Sequence, residues 1–241
     1  PIVVSSRPDA EFVGWRGFSE FGVQALTKQQ AIRLIEQLQY DDDIKKRFVK
    51  DLDARIYASH TPFASNPLLV TIMLLTYGDN AEIPIKMHLF YSMVFETLWN
   101  KHDATKGGYK RRRFTTLAMD DFQRVLSLFC LQAYMMGAYS MPFDAALGYV
   151  GSTKKLSGIT EFDAEEYLQD LQSSVCILVR DGAELSFSHR SFAEYYAAVA
   201  ILSLPSDKRS QLLRARSWDS DSVFGMLMEM APATIEERDP K

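Results

Sequence analysis

The chain has 241 residues, enough for one large domain or for two to three small ones. Hydrophobic residues make up 47% and charged residues 24%, which excludes a disordered or collagen-like chain. The formal net charge of -4, from 27 basic and 31 acidic residues, gives no overall electrostatic drive toward nucleic acid or an anionic membrane.

The first predicted element is a strand. Ile2, Val3 and Val4 form an apolar β-branched run that is typical of a buried parallel strand. A single buried strand needs neighbouring strands, and the chain begins with Pro1 rather than Met. We therefore expect the chain to be part of a longer protein.

Two helices are predicted next. Thr27 and Gln30 have the spacing of a capping box and are followed by apolar residues at helical spacing, which predicts a helix from about residue 28. Residues 41–52 carry an apolar stripe on an otherwise polar segment, which predicts an amphipathic helix.

Prolines mark the next two predicted helices. Asn66 is a capping residue directly before Pro67, a proline that can occupy the first helical turn, and residues 68–77 continue as an apolar, buried helix. Pro84 is predicted to open another helix that runs through Trp99.

A change of composition separates the two halves. Residues 101–116 are charged and glycine-containing and include a basic run at 110–113, which predicts a domain boundary. Amphipathic helices are then predicted over 120–136 and 163–171.

The last clear elements are a hairpin and a helix. Two apolar runs flank Asp181 and Gly182, which predicts a β-hairpin around an Asp-Gly turn. Ser191 and Glu194 have the spacing of a second capping box, opening a helix over 195–202.

Helix, helix, hairpin, helix over about 115–204 is the order of a winged-helix unit with one extra helix. Residues 205–241 are expected to form an incomplete helical unit.

No complete catalytic motif is present in the sequence. Residues 148–154 resemble a phosphate-binding loop only superficially, because they lack the adjacent Gly-Lys, and are predicted to form a loop. There is no G-x-S-x-G and no H-E-x-x-H, and the four histidines are scattered. We therefore predict no catalytic residue and no metal site.

Cellular location is predicted from the cysteines and from the apolar runs. Cys130 and Cys176 lie in apolar runs without metal-ligand spacing, which predicts buried free thiols of a reducing compartment, the cytoplasm. No apolar run reaches the roughly 18 to 20 residues of a membrane span, and no signal peptide is recognisable, so no membrane partner is expected.

Three residues are candidates for binding an anionic ligand. Arg7 follows the predicted strand, where α/β sheets bind ligands; the alternative is a surface arginine. Pro67 could pack its ring on a base at a helix N-terminus, or be only a well-made helix start. His189 lies beside a predicted helix start, which suits a phosphate oxygen; a structural histidine is the alternative.

Together the segments that contain these residues resemble one family. Residues 3–8 (VVSSRP), 65–73 (SNPLLVTIM) and 187–198 (FSHRSFAEYYAA) resemble, in order and spacing, the later motifs of NACHT-type NTPases, signal-transducing ATPases with numerous domains. The resemblance covers about residues 1–204 and is most specific in the third segment. The phosphate-binding loop and the acidic Mg²⁺ motif of that family are absent from this sequence.

The resemblance implies a mainly α fold in four parts. Residues 1–26 would be the C-terminal edge of a P-loop α/β nucleotide domain, 27–104 a first helical domain, 105–204 a winged-helix domain and 205–241 the start of a second helical domain. Within these parts it implies that Arg7 reads the γ-phosphate, that Pro67 touches the nucleotide base, and that His189 holds the β-phosphate of ADP.

The function implied by the resemblance is an ATP/ADP-dependent switch. ADP would hold the protein closed, and exchange for ATP would permit homo-oligomerisation. The setting would be antiviral or innate immune defence, and the motif sequences look more like those of bacterial antiphage proteins. ATP or ADP with Mg²⁺ would bind the intact parent, an ATPase, whereas this segment would be inactive alone. The expected partners are the missing nucleotide-binding half with its effector domain, and a C-terminal sensor domain with an unknown trigger.

Two other functions remain open. A winged-helix DNA binder is disfavoured because residues 156–179 contain no Lys, Arg or His but several acidic residues, although the basic run at 110–113 could touch nucleic acid. The other is a helical protein-interaction scaffold without a nucleotide.

Overall fold

The structure is a computed structural model that describes residues 19, 21–101, 113–215, 217–218 and 221–236. This part of the chain is mainly helical. The described residues up to 101 contain seven helical elements, which are α1 (Lys28–Gln37), α2 (Asp42–Asp51), a π-helical turn (Leu52–Ile56), α3 (Tyr57–Ser59), α4 (Thr61–Ala64), α5 (Pro67–Asn80) and α6 (Met87–Lys101).

Side-chain caps set the starts of the first helices. The Thr27 hydroxyl accepts the backbone N–H of Gln30, and the Gln30 side chain accepts the N–H of Thr27, so the predicted capping box is confirmed. Asp41 caps α2 and Asn66 caps α5, each with a side-chain oxygen that accepts two backbone N–H groups. The predicted helices at these three places are confirmed.

The predicted start of α6 at Pro84 is wrong, because α6 begins at Met87. Pro84 lies in the preceding loop, where its carbonyl oxygen accepts a hydrogen bond from Nε2 of His60 at 2.8 Å. Ile83, its neighbour, is buried. These contacts hold the loop in place and delay the helix by three residues.

After residue 112 the chain combines helices with a small sheet. The elements in this half are α7 (Met119–Met136), β1 (Ser140–Pro142), α8 (Phe143–Ser157), α9 (Ala164–Ser173), β2 (Leu178–Asp181), β3 (Glu184–Phe187), α10 (Arg190–Ser203), α11 (Ser206–Arg214), α12 (Ser222–Met230) and α13 (Pro232–Glu236). The predicted helices over 120–136 and 163–171 are confirmed as α7 and α9.

The sheet has the order β1-β3-β2, and both pairs are antiparallel. The predicted hairpin is confirmed: Asp181 pairs with Glu184 across the turn, and Gly182 takes a left-handed conformation with φ of 58°. The third strand, β1, was not predicted, because three residues are too few for a recognisable alternation.

The prediction of a loop at residues 148–154 is wrong, because these residues lie inside α8. Val150 and Thr153 are buried against the rest of the core, and Gln132 of α7 donates a hydrogen bond to the Thr153 hydroxyl at 2.9 Å. Tertiary packing therefore outweighs the low helix propensity of the two glycines in this segment.

One hydrophobic core connects the two halves of the chain. At the junction, Tyr91 of α6 stacks on Tyr195 of α10 with ring centroids 4.9 Å apart. Trp99, near the end of α6, lies edge-on to Phe122 of α7 at 5.0 Å and has the guanidinium of Arg113 3.9 Å from its ring centroid. Contacts between aromatic rings therefore join the first helical unit to the rest.

A second, smaller cluster holds the helices after residue 205. Val223 and Leu227 of α12 pack there against Ala197 and Ile201 of α10. The hydroxyl of Tyr134 in α7 donates a hydrogen bond to Asp221, the residue that caps α12, at 2.6 Å.

A buried carboxylate fastens the segment that enters α7. Asp170 of α9 has no exposed surface and accepts hydrogen bonds from the backbone N–H groups of Phe114 and Thr115 at 3.0 and 2.9 Å. The hydroxyls of Thr115 and Ser174 each donate to the same carboxylate at 2.8 Å. Four donors thus satisfy one buried charge.

None of the helices in the described ranges is long and apolar enough to span a bilayer.

Replacing Ala81 with glycine is expected to raise the free energy of unfolding by about 1 kcal/mol. Ala81 ends α5 with φ of 57°, a left-handed conformation that strains any residue with a Cβ. Urea unfolding followed by circular dichroism measures the change. Gly137→Ala is the matched control: Gly137 ends α7 with φ of 64°, and an added Cβ meets no atom within 4 Å, so an equal loss of stability is expected. An unchanged or less stable Ala81→Gly protein would contradict the prediction.

Candidate functional site

The structure describes two of the three candidate residues selected from the sequence. Arg7 lies outside the described residues, as does the predicted strand at residues 2–4. Pro67 and His189 are both described, and they lie 122 residues apart in the sequence.

Pro67 is the first residue of α5 and is exposed. The side-chain oxygen of Asn66, one residue earlier, accepts the backbone N–H groups of Leu68 and Leu69 at 3.0 and 3.2 Å. Pro67 has no N–H to satisfy, so it fits this position without cost. The result is a helix start with an exposed, flat proline ring.

His189 is the capping residue of α10, at the junction between β3 and that helix. Its Nδ1 accepts the backbone N–H of Ser191 at 3.3 Å, and the Ser191 hydroxyl lies 2.5 Å from the same nitrogen. The predicted capping box at Ser191 and Glu194 is wrong, because the imidazole has taken the role of the cap and Ser191 lies within the helix.

The imidazole of His189 keeps one polar atom unused. With Nδ1 acting as an acceptor, the neutral ring carries its proton on Nε2. Within the described ranges no group hydrogen-bonds to Nε2 of His189, and the buried hydroxyl of Ser188 likewise has no partner there. The site therefore offers an unused N–H donor at the N-terminus of a 14-residue helix.

An ion pair lies beside His189. Arg190 donates from Nε and Nη2 to one oxygen of Glu194 at 2.8 and 2.7 Å, while its own side chain stays 64% exposed. The Glu194 side chain is almost fully buried, so this pair explains why it does not cap the helix. The helix N-terminus favours an anion near His189, whereas the charge of Arg190 is offset there by that of Glu194.

Burial lowers the pKa of His189 below its usual value near 6.5. The charge of Glu194 acts in the opposite direction, and the charge of Arg190 lowers the pKa further. The ring is therefore biased toward its neutral form near pH 7, with Nε2–H as a donor.

An aromatic contact connects His189 with the helix start at Pro67. Phe63, in the helix just before Asn66, lies with its ring centroid 5.8 Å from that of His189. The backbone N–H of Leu26 donates to the carbonyl of Ser65 at 2.7 Å, so the incoming chain passes the same place. The structure thus brings the α5 start, residue 26 and His189 into one neighbourhood.

Sequence reasoning missed the buried histidine that supports this neighbourhood. His60 is 1% exposed, packs against the ring of Phe90 at 5.8 Å and joins Ser59 to Pro84 through its two nitrogens. A single histidine between helices has no motif that would have revealed it.

The residues fit a phosphate oxygen better than a metal ion. Nε2 of His189 and the start of α10 offer N–H donors, which suit an anion. No three His, Cys, Asp or Glu side chains of the described ranges are grouped to hold a metal ion. A Mg²⁺ ion accompanying a nucleotide would need ligands from elsewhere.

The free energy of unfolding is expected to fall as the pH drops from 7 to 5. Burial lowers the pKa of His60 and of His189 below about 6.5, so the unfolded chain binds more protons than the folded one. The contribution of the two neutral histidines to the free energy of unfolding is complete above the pKa of the unfolded chain. It is lost as the pH falls through the pKa of the folded chain, by at most about 1.4 kcal/mol per pH unit for each histidine.

Urea unfolding at pH 7, 6 and 5 measures this slope, and His189→Gln removes one of the two histidines. The variant should show a shallower fall than the unaltered chain. Equal slopes would mean that His189 has the same pKa in both states.

Comparison with known proteins gave no assignment: no protein-family model matches the chain, and no curated protein matches it.

Proposed function

We propose that this chain is the regulatory part of an ATP/ADP-dependent signalling switch of the NACHT type, which stays closed with ADP and oligomerises after activation. Three segments of the sequence resemble that family. The element order α7-β1-α8-α9-β2-β3, with the sheet order β1-β3-β2, supports a winged-helix unit within residues 105–204. The helices on either side support the two helical domains of the proposal.

The unused Nε2 of His189 is the observation that carries the proposal. It lies at a helix N-terminus, beside Arg190 and in contact with Phe63. An N–H donor in that position suits a phosphate oxygen, and the phosphate would come from a nucleotide held mainly by residues outside this chain.

In the closed state, His189 donates from Nε2 to a phosphate oxygen of ADP, and Pro67 packs its ring on the base. Arg7 reads the γ-phosphate when ATP is bound. Because His189 and Arg7 favour different nucleotides, exchange shifts the balance between closed and open forms. A bound nucleotide supplies the charge that these residues recognise. In this proposal the loop that binds its phosphates belongs to the other half of the protein.

The partners in this proposal follow from the same scheme. The nucleotide-binding half and an effector domain precede the chain, a sensor domain follows it, and copies of the protein assemble on activation. The setting is antiviral or innate immune defence in the cytoplasm.

Replacing His189 in the protein that joins this chain to its phosphate-binding half tests the proposal. His189→Ala should weaken ADP binding by about 10- to 100-fold, since a hydrogen bond to a charged group contributes about 1.5–3 kcal/mol. Less ADP should therefore co-purify with the protein. The oligomeric fraction in light scattering should rise. His189→Gln, which keeps an N–H donor, should lose less.

Lys155→Ala, a change of an exposed charge on α8, is the matched control and should alter neither quantity. If His189→Ala retained the same amount of ADP and the same oligomeric state, the switch proposal would be wrong. A scaffold that binds no nucleotide would then be favoured.

A DNA-binding function has the geometry of α9 against it. In a winged helix, α9 would be the helix presented to the major groove. Glu165 and Glu166 are exposed in its first turn, and Glu161 is exposed just before it. These charges repel phosphates, so a gel shift at physiological salt should show no tight complex. Sequence-specific binding in that assay would reverse the preference.

A further inference from the structure

A polar contact joins two helices that lie far apart in the sequence. One carboxylate oxygen of Glu229 in α12 accepts the backbone N–H of His88 at 3.1 Å and lies 2.7 Å from Nδ1 of the same residue in α6. The two side chains are only 18% and 32% exposed, for His88 and Glu229 respectively. The contact therefore connects the end of the described chain with the first helical unit.

The start of α6 depends on this contact because it has no capping side chain directly before it. The carbonyl of Lys86 accepts the N–H of Phe90, which makes Lys86 the residue before the first turn. A lysine side chain has donors but no acceptor, so it cannot satisfy the free amides of a helix start. Glu229 supplies both the acceptor and the negative charge that a helix N-terminus favours.

The surroundings of Glu229 hold α12 in a defined position. Burial lowers the pKa of His60 and raises that of Tyr91, and the charge of Glu229 weakly opposes the first change and adds to the second. Met226 and Met230, on the same helix, pack against the large core beside the contact. Val223 and Leu227 pack instead on α10, so α12 touches both halves of the molecule.

The two contacts on α6 differ in kind. Its junction with α10 is aromatic, with Tyr91 stacked on Tyr195, and separating these rings would expose large apolar side chains to water. Its contact with α12 consists of directional hydrogen bonds to one carboxylate oxygen. Water can replace these hydrogen bonds once the helices separate, so opening this contact exposes little apolar surface beyond that of Met226 and Met230.

We propose that the Glu229–His88 contact is a latch, by which the helices after residue 205 hold the first helical unit in the arrangement that the structure shows. Opening the latch frees α12 from α6 and leaves the start of α6 uncapped, so the two events are coupled. The inference rests on hydrogen bonds within this chain and does not depend on nucleotide binding.

Hydrogen–deuterium exchange of the 241-residue chain tests the latch. In Glu229→Ala, peptides that cover the first turn of α6 should exchange about 10-fold faster or more, because the hydrogen bonds to the charged carboxylate are lost. Peptides from α12 should accelerate with them, while those from the middle of α7 and α10 keep their protection. Glu229→Gln keeps an acceptor oxygen in place and should show a smaller change.

Reciprocity separates a latch from a local contact. His88→Ala removes the ring from the other side and should accelerate exchange in α12, which lies more than 130 residues away along the chain. Glu96→Gln, an exposed change on α6, should leave both regions unchanged. Unchanged exchange in α12 of His88→Ala, or equal acceleration in α7 and α10, would overturn the proposal.

Discussion

Asp170→Ala is expected to lower the free energy of unfolding by about 3–5 kcal/mol, the cost typical of breaking a buried charged network. The change removes the acceptor of four hydrogen bonds, two of them from the backbone of the segment that leads into α7. Three of those donors, on Thr115 and Ser174, would stay buried without partners, and each costs about 1–3 kcal/mol in the interior. Guanidinium unfolding followed by circular dichroism measures the loss.

Two variants on or beside the same helix give the comparison. Asp170→Asn keeps the shape and one acceptor oxygen but turns an amide donor toward other donors, so it should lose stability by roughly half as much. Asp163→Ala removes only the N-cap of α9 and should cost about 1 kcal/mol. If Asp170→Ala proved no more costly than Asp163→Ala, the buried network would be of little consequence for stability.

Tyr91→Ala is expected to cost about 3–5 kcal/mol, the range for truncating a large buried aromatic side chain. Tyr91 is 1% exposed and meets Phe63 at 5.1 Å, Phe192 at 5.7 Å and Tyr195 at 4.9 Å between ring centroids. Alanine would leave a cavity where the first helical unit meets α10. The midpoint temperature of thermal unfolding should therefore fall markedly.

A double-mutant cycle isolates the stacked pair. Tyr91→Ala and Tyr195→Ala, singly and together, should reveal a coupling energy of about 0.5–1.5 kcal/mol, the usual range for aromatic pairs. Leu156→Ala, at a side chain that is 67% exposed on α8, should change stability by less than about 0.5 kcal/mol. Strict additivity would mean that the two rings pack independently of each other.

Local signals in the sequence were sufficient to predict most helix starts and the hairpin. Thr27, Asn66 and Asp163 act through backbone amides two or three residues away, and Gly182 acts within its own turn. Each of these effects is decided by a few neighbouring residues, so one sequence is enough to read it.

The errors arose where distant contacts decide the local structure. Residues 148–154 look like a loop because of their glycines, yet packing of Thr153 against Gln132 holds them in α8. Pro84 looks like a helix start, but the hydrogen bond from His60 keeps it in the loop. No local pattern contains either contact.

The candidate site could be predicted only in part. The motif around His189 directed attention to the correct junction between strand and helix, but it assigned the cap to Ser191 instead of to the imidazole. Phe63, which connects that junction with Pro67, had no signal beyond its hydrophobicity. The partner of His88 lies 141 residues away, so only the folded chain reveals it.

The position of Trp99 gives the molecule a fluorescent reporter of its own. Its indole is half-buried between the two halves of the chain, near Phe122 and beneath Arg113, whereas Trp218 lies with the helices after residue 205. Separation of the halves would hydrate the first indole and shift its emission to longer wavelength, while movement of the last helices would change the second. The chain also contains Trp15, so variants that keep only Trp99 or only Trp218 would give each step of an opening reaction its own optical signal.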